Sequence, residues 1–224
     1  MSYYGKYFRE FDAVLRDAEG GSMGAYECFS RFLLLFSLSL EVANAKLQNR
    51  DHGELESQYL SEAKKSRATE CYAKAFAVLV GALTASPGDF LGGYVMTLGG
   101  LGKNDMGQNF TPDTVSKLLS ELVLPKKPKD GPMVISEPAC GSGSLIIATT
   151  EKLKKLGYGK RDFYFIANDI DDRCIKMAFI QCTLLDIPVD FYTGDTLTHK
   201  YNYRRPTLTY ILNHKQTGYR QYLE

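Results

Sequence analysis

The chain has no tryptophan and only three histidines among its 224 residues, and none of its eight prolines falls before Pro87. Its five cysteines, Cys28, Cys71, Cys140, Cys174 and Cys182, form no C-x-x-C pair and stand near no histidine at ligand spacing. That pattern excludes the usual structural zinc sites, so no metal ligand set is assigned, and the cysteines read as buried reduced thiols. No apolar run approaches bilayer length: the longest cluster, 32–40, is interrupted by Ser37 and Ser39. No basic start followed by an apolar core and a cleavage site is visible. These absences together point to a cytoplasmic protein without a membrane partner. A net charge of +1 excludes a chain that coats nucleic acid along its whole length.

The charge is unevenly spread. Residues up to Val123 carry 12 basic and 15 acidic side chains, and residues from Leu124 onward carry 15 basic and 11 acidic. The basic part includes Lys126, Lys127, Lys129, Lys152, Lys154, Lys155, Lys160, Arg161, Arg204 and Arg205. Two readings are open for it, a DNA-facing side and a solvated surface.

With no proline to break them, 26–47 and 58–83 read as long helices, separated by a turn at Asn49–Gly53 and ended by Ser86-Pro87-Gly88. A short helix is expected over Asp89–Leu98. Thr111 and Pro112 form an N-cap and first helical position for an apolar face of Val115, Leu118, Leu119, Leu122 and Val123. From Met133 the pattern alternates. Strands are expected at Met133–Ser136, Phe163–Ala167 and Val189–Tyr192, with helices at Leu145–Leu156 and Arg173–Leu185. A last apolar segment, Leu208–Leu212, is expected as a fourth strand. Alternation of this kind implies an α/β, Rossmann-like parallel sheet with crossover helices. It is preceded by a helical N-terminal region, residues 1–106, and nothing in 1–83 suggests chemistry.

The most informative stretch is Met133 to Ser144, MVISEPACGSGS. A β-prone run enters an acidic residue, a proline and a Gly-Ser-Gly turn, and a helix follows. Glycines let a ligand approach the backbone, and the helix start offers unpaired N–H groups. Glu137 at the strand tip suits an ammonium or hydroxyl groups and does not suit a pyrophosphate.

The run Glu137-Pro138-Ala139-Cys140-Gly141-Ser142-Gly143 closely resembles the cofactor motif of S-adenosylmethionine-dependent DNA adenine-N6 methyltransferases. It is most similar to that of the modification subunits of type I restriction-modification systems. Gly107-Gln108-Asn109-Phe110-Thr111-Pro112 resembles that family's G-Q-F-F-T-P segment, with Asn109 in place of one aromatic. Ala167-Asn168-Asp169-Ile170-Asp171 and Thr193-Gly194-Asp195-Thr196-Leu197 follow in the family's order. The resemblance implies a methyltransferase domain over 107–224 that holds S-adenosylmethionine, with DNA as partner and methylation of DNA as the activity. Glu137 to Gly143 would hold the methionine end, with Ala139 and Gly141 as backbone contacts. Asp169, next to Ile170, would accept from the ribose hydroxyls. Asp195, next to Thr196 and Leu197, would accept from the adenine amine, and Phe110, Thr111 and Pro112 would close over the cofactor. Each acid also has a plainer role open to it: Glu137 and Asp195 as turn residues, Asp169 as a helix N-terminal acid. Cys140 is expected to pack.

One part of the pattern is missing. Enzymes of this kind use N-P-P-[YF] after the fourth strand to accept hydrogen bonds from the target amine and to stack on the flipped base. Here the corresponding stretch reads Asn213-His214-Lys215-Gln216. Asn213 is the one candidate catalytic residue, and an ordinary turn residue is the other reading of it. Base stacking on an aromatic is worth about 1–3 kcal/mol, and the proline-fixed turn is lost too. Methyl transfer is therefore expected to be weak or absent. The alternative is a non-enzymatic module with the same fold, antirestriction, regulatory or partner-binding. The sequence offers four strands where the family's sheet has about seven. An open edge at Leu208–Leu212 is then expected to be covered by the tail Gln216–Glu224 or by a second chain. Tyr201, Tyr203, Tyr210, Tyr219 and Tyr222 crowd it, which suits a protein partner or a second copy, and packing on their own domain is the other reading.

Overall fold

The computed structural model of the chain describes residues 4–19, 21–66, 69–99, 115 and 130–214. The helices α1 (Gly5–Asp17), α2 (Ala25–Leu47), α3 (Gly53–Lys65), α4 (Thr69–Ala85) and α5 (Phe90–Thr97) come first. They are followed by β1 (Met133–Glu137), α6 (Ser144–Lys155), β2 (Phe163–Asp169), α7 (Asp172–Leu184), β3 (Val189–Asp195), β4 (Lys200–Pro206) and α8 (Leu208–His214). The expected helical N-terminal region and α/β sheet are both present. The Gly107–Pro112 segment, nearly all of the helix expected behind it and the tail from residue 215 lie outside the described residues.

The N-terminal helices bury an aromatic cluster. Phe11 meets Phe32, Phe90 and Tyr94 edge-on, with ring centroids 5.1, 5.3 and 4.9 Å apart. Such pairs add about 0.5–1.5 kcal/mol each beyond the area they bury. The single helix expected over 58–83 is interrupted. Ser66 adopts extended backbone (φ −81°, ψ 140°), and α3 buries no residue, whereas α4 buries Tyr72, Ala75, Leu79, Ala82 and Leu83. The chain breaks so that the apolar face of α4 can lie on α1. Helix α2 corrects a second expectation, since by length and composition it is apolar enough to cross a bilayer. Ser37 does not interrupt it, because the buried hydroxyl donates to the Leu34 carbonyl at 3.1 Å. Here α2 is spent on the core, with Phe29, Phe32 and Leu33 fully buried.

The sheet runs in the order β1-β2-β3-β4. β1, β2 and β3 are parallel, with Glu137 opposite Ala167 and Asp169 opposite Thr193. Helices α6 and α7 cover one face, where Ile146, Ile147, Ile175, Ala178 and Phe179 pack on Met133, Phe163, Phe165, Val189 and Phe191. The other side of α7 places Cys174, Met177 and Ile180 in the helical cluster. One helix thus joins the two layers. Arg205 of β4 adds a polar tie, donating to Glu41 of α2 at 2.9 Å and to Asp172 of α7 at 2.5 Å.

The expected fourth strand is corrected. β4 is Lys200–Pro206, antiparallel to β3, and Leu208–His214 is helical. The signal was local: Pro206 ends the strand, and the buried Thr207 caps the helix, its Oγ1 accepting from the Tyr210 N–H at 3.3 Å. Leu208–Leu212 is therefore no open strand edge. Three of the tyrosines around it bond or stack within the chain: Tyr201 packs on Tyr192 with ring centroids 5.6 Å apart, Tyr203 donates to Glu41 at 2.6 Å, and Tyr210 meets Tyr164 edge-on.

The β3–β4 reversal is tight. The register shifts at Thr193/Gly194, and a Cβ on Gly194 would stand 2.2 Å from the Lys200 carbonyl oxygen and 2.7 Å from Tyr201 Cα. Both neighbours are backbone and cannot rotate away. Gly194→Ala is expected to cost about 1–3 kcal/mol in urea unfolding, whereas Gly5→Ala, which meets nothing within 4 Å, should stay within about 0.5 kcal/mol of the parent.

Candidate cofactor site

The parallel strands bring their C-terminal tips to one edge of the sheet, about 4.8 Å apart. After Glu137 the chain turns through Pro138, Ala139, Cys140, Gly141, Ser142 and Gly143 and enters α6. Gly141 and Gly143 take φ of +52° and +90°, conformations that side chains rarely adopt. A Cβ on Gly143 would also press on Ala178 of α7 at 3.2 Å.

The turn is pinned to its neighbours from two sides. The Cys140 N–H donates to the Asn168 carbonyl at 2.9 Å, and the Gly141 N–H donates to Asp169 Oδ2 at 2.8 Å. Asp169 Oδ1 accepts from the Asp171 N–H at 2.9 Å. The Thr196 hydroxyl donates to the Pro138 carbonyl at 2.7 Å, linking the loops after β1 and β3 across the tip of β2. Asn168 holds the underside: its Nδ2 donates to the Gly194 carbonyl at 2.9 Å and to Thr196 Oγ1. Asn168 is 6% exposed, and its Oδ1 has no hydrogen-bond partner among the described residues. A buried acceptor left without a donor is costly, and this one lies between the tips of β1 and β3.

Glu137 and Asp169 are brought together around the turn. Burial raises the pKa of Glu137, with the nearby Asp169 adding to the shift. Burial also raises that of Asp169, against the backbone N–H donors that favour its charge. Asp195 differs. It stands on the adjacent tip, but its Oδ1 accepts from the Leu197 and Thr198 N–H groups of its own turn at 2.8 and 3.4 Å, and these bonds hold its pKa down. Ile170 and Leu197, beside the two aspartates, are 58% and 92% exposed. Cys140 is buried, and burial pushes its thiol well above the ordinary value, so it stays protonated. Phe110, Thr111 and Pro112 lie outside the described residues. Among the described residues, no group of three or more His, Cys, Asp and Glu is placed to hold a metal ion.

Asn213 is not brought to this edge. It sits in α8, its Oδ1 3.4 Å from Arg161 Nε and its Nδ2 donating to the Thr209 carbonyl at 2.8 Å. Arg161 precedes β2, so Asn213 lies at the opposite end of the sheet, roughly 20 Å away by the length of a seven-residue strand. Much of the basic cluster is placed there too. α6 runs back from the glycine turn, carrying Lys152, Lys154 and Lys155 in its last turn, and Lys160 and Arg161 follow it. Asn168 is the residue that motif reasoning passed over as a site. Its signal was a polar side chain in an otherwise apolar strand, FYFIAND.

The glycine turn with its two half-buried acids fits a small ligand bearing an ammonium and hydroxyls. Ionised Glu137 is held at a cost in the folded state, because its folded pKa lies above its unfolded one. That cost is present at neutral pH and is relieved as pH falls through the folded pKa. Glu137→Gln is therefore expected to raise Tm at pH 7, with the gain shrinking at acid pH. A lower Tm at pH 7 by thermal melting would contradict the assignment of Glu137 as a buried, electrostatically costly group.

The sequence model of the N-6 DNA methylase family matches residues 94–215, more than half of the chain. Two solved structures are similar. One is described as a class I S-adenosylmethionine-dependent methyltransferase from Listeria monocytogenes (18% identity, TM-score 0.43, covering 86% of this chain and 54% of that one). The other is a type I restriction-modification system methyltransferase subunit from Streptococcus thermophilus (15% identity, TM-score 0.43, covering 86% of this chain and 58% of that one). The chain thus spans little more than half the length of either. No curated protein matches it.

Proposed function

The chain belongs to the N-6 DNA methylase family, and on that premise we propose that it binds S-adenosylmethionine at the tips of β1, β2 and β3 yet, as it stands, transfers no methyl group to adenine at a normal rate. Residues 107–224 form the binding domain in this reading, and 1–106 support it. The observation that carries it is the pairing of Glu137 and Asp169, two carboxylates whose charge is disfavoured by burial, around a glycine turn.

S-adenosylmethionine supplies an electrophilic methyl group on a sulfonium. Glu137 accepts from the ammonium and Asp169 from the ribose hydroxyls. The Gly141 N–H is already spent on Asp169, so the backbone at Ala139 and Gly141 serves by close approach and through its carbonyls. Ile170 and Leu197 offer apolar surface to the adenine, and Asp195, with Thr196 beside it, presents an acceptor to the adenine amine. Phe110, Thr111 and Pro112 close the pocket by family resemblance.

The weak transfer follows from two observations. The sequence contains no N-P-P-[YF], and Asn213 faces Arg161 at the far edge of the sheet. A second reading is favoured by the same placement: a non-enzymatic module, in the cytoplasm, that contacts DNA or a protein partner such as a restriction-modification subunit.

Titration calorimetry with S-adenosylmethionine separates the readings. Binding is expected in the parent and is lost in Asp169→Ala, while Asn213→Ala binds as the parent does. Affinity should fall on acidification, beginning above the pH at which an ordinary carboxylate protonates, because protonation removes the charge that pairs with the ligand's ammonium and weakens both acceptors. The sign is opposite to that of the stability effect. Absence of binding in the parent moves the assignment to the second reading. Labelled methyl transfer to adenine-containing DNA should remain at background, and turnover at a normal enzymatic rate would refute the inactivity.

A further inference from the structure

Behind the glycine turn lies a buried polar cluster that the cofactor reading does not use. The Ser142 hydroxyl donates to Asp89 Oδ2, and Asp89 Oδ1 caps α5 by accepting from the Gly92 N–H at 2.9 Å. Gln181 of α7 donates from Nε2 to Asp89 Oδ1 and to the Ser142 carbonyl, both at 3.0 Å, and its Oε1 accepts from the Leu91 N–H at 2.9 Å. Ser142, Gln181 and Asp89 are 2%, 0% and 9% exposed. The fit is close, since a Cβ on Gly92 would stand 2.3 Å from both Asp89 Oδ2 and Ser142 Oγ.

We propose that Asp89 and Gln181 are positioning residues for the cofactor turn, clamping Ser142 so that Gly141 and Gly143 hold their left-handed backbone against α7. The proposal rests on the reading that this turn holds S-adenosylmethionine. Three elements distant in sequence meet at one serine. α5 supplies the carboxylate, α7 supplies the amide, and the turn supplies both a hydroxyl and a carbonyl. Each polar atom of the Gln181 side chain is engaged, so this side chain has one orientation here. A turn that carries two glycines has little stiffness of its own, and a fully bonded buried network rigidifies what it holds. Preorganisation of this kind lowers the cost of ordering the turn when a ligand binds. The same clamp fixes the start of α5 through the Gly92 N–H.

The test uses the full chain and three variants, Asp89→Ala, Gln181→Leu and Asp89→Asn, at a temperature where circular dichroism shows each as folded as the parent. Asp89→Ala and Gln181→Leu should each weaken S-adenosylmethionine about tenfold by calorimetry. In ligand-free protein they should also speed amide hydrogen exchange in residues 139–144 about tenfold. Asp89→Asn keeps the acceptor for Gly92 and Gln181 and can donate to Ser142, and it should restore affinity to within about threefold of the parent. A purely structural role would lower Tm and leave affinity and local exchange of the folded variants unchanged, and that result overturns the proposal. If Asp89→Ala does not fold, Gln181→Leu decides alone. If the parent binds no S-adenosylmethionine, the cofactor reading fails, and unchanged exchange at 139–144 is then what overturns the clamp.

Discussion

Helix α7 is buried around nearly its whole circumference, and the architecture depends on that. Ile175, Ala178 and Phe179 pack toward the sheet, while Cys174, Met177 and Ile180 pack toward the N-terminal helices. A helix apolar on every side has no stable solvent-facing arrangement, so both layers are needed to cover it. Its polar groups are then disposed by what they can reach. Gln181, fully buried, finds partners on α5 and the glycine turn. Asp172, at the first turn, finds Arg205 of β4 and Lys176. The apolar surface fixes where α7 lies, and its few polar side chains fix how the neighbouring elements meet it.

The strand tips show a different balance. Glu137 and Asp169 are held near each other in a partly dry environment that disfavours both charges, and the buried Asn168 Oδ1 has no hydrogen-bond partner among the described residues. A fold selected for stability alone would neutralise or solvate these groups. Their cost is met by the packing of α6 and α7 below, and the proposed ligand would offset it with complementary donors.

Much of this was legible in the chain. The alternation from Met133 to Asp195 fixed three strands and two helices to within a few residues, because a buried parallel sheet demands continuous apolar runs and its crossover helices start at acidic or glycine-rich turns. The Glu137–Gly143 turn was readable for the same reason, each glycine being required by its backbone. What escaped notice depended on partners far away in sequence. The break at Ser66 has no proline or glycine to announce it and follows from the docking of α4 on α1. Strand β4, KYNYRRP, contains no aliphatic residue and is held by tyrosine and arginine contacts to α2. Thr207 as a helix cap was visible only once Pro206 was known to end a strand. In the sequence Asp89 only opens the short helix expected over Asp89–Leu98, and its tie to Ser142 appears only in three dimensions.

The reversal at Gly194 has a consequence for engineering. By sending the chain back along β3, it delivers everything from Thr207 to Asn213 to the wrong pole of the sheet. Grafting two prolines and a tyrosine behind Asn213 would restore the letters of a base-accepting tetrapeptide a full strand length from the strand tips proposed to hold the methyl donor. Placing such a tetrapeptide beside the glycine turn would instead require a backbone that leaves the β3 tip without folding back and re-enters the sheet from below with its own tip at that turn.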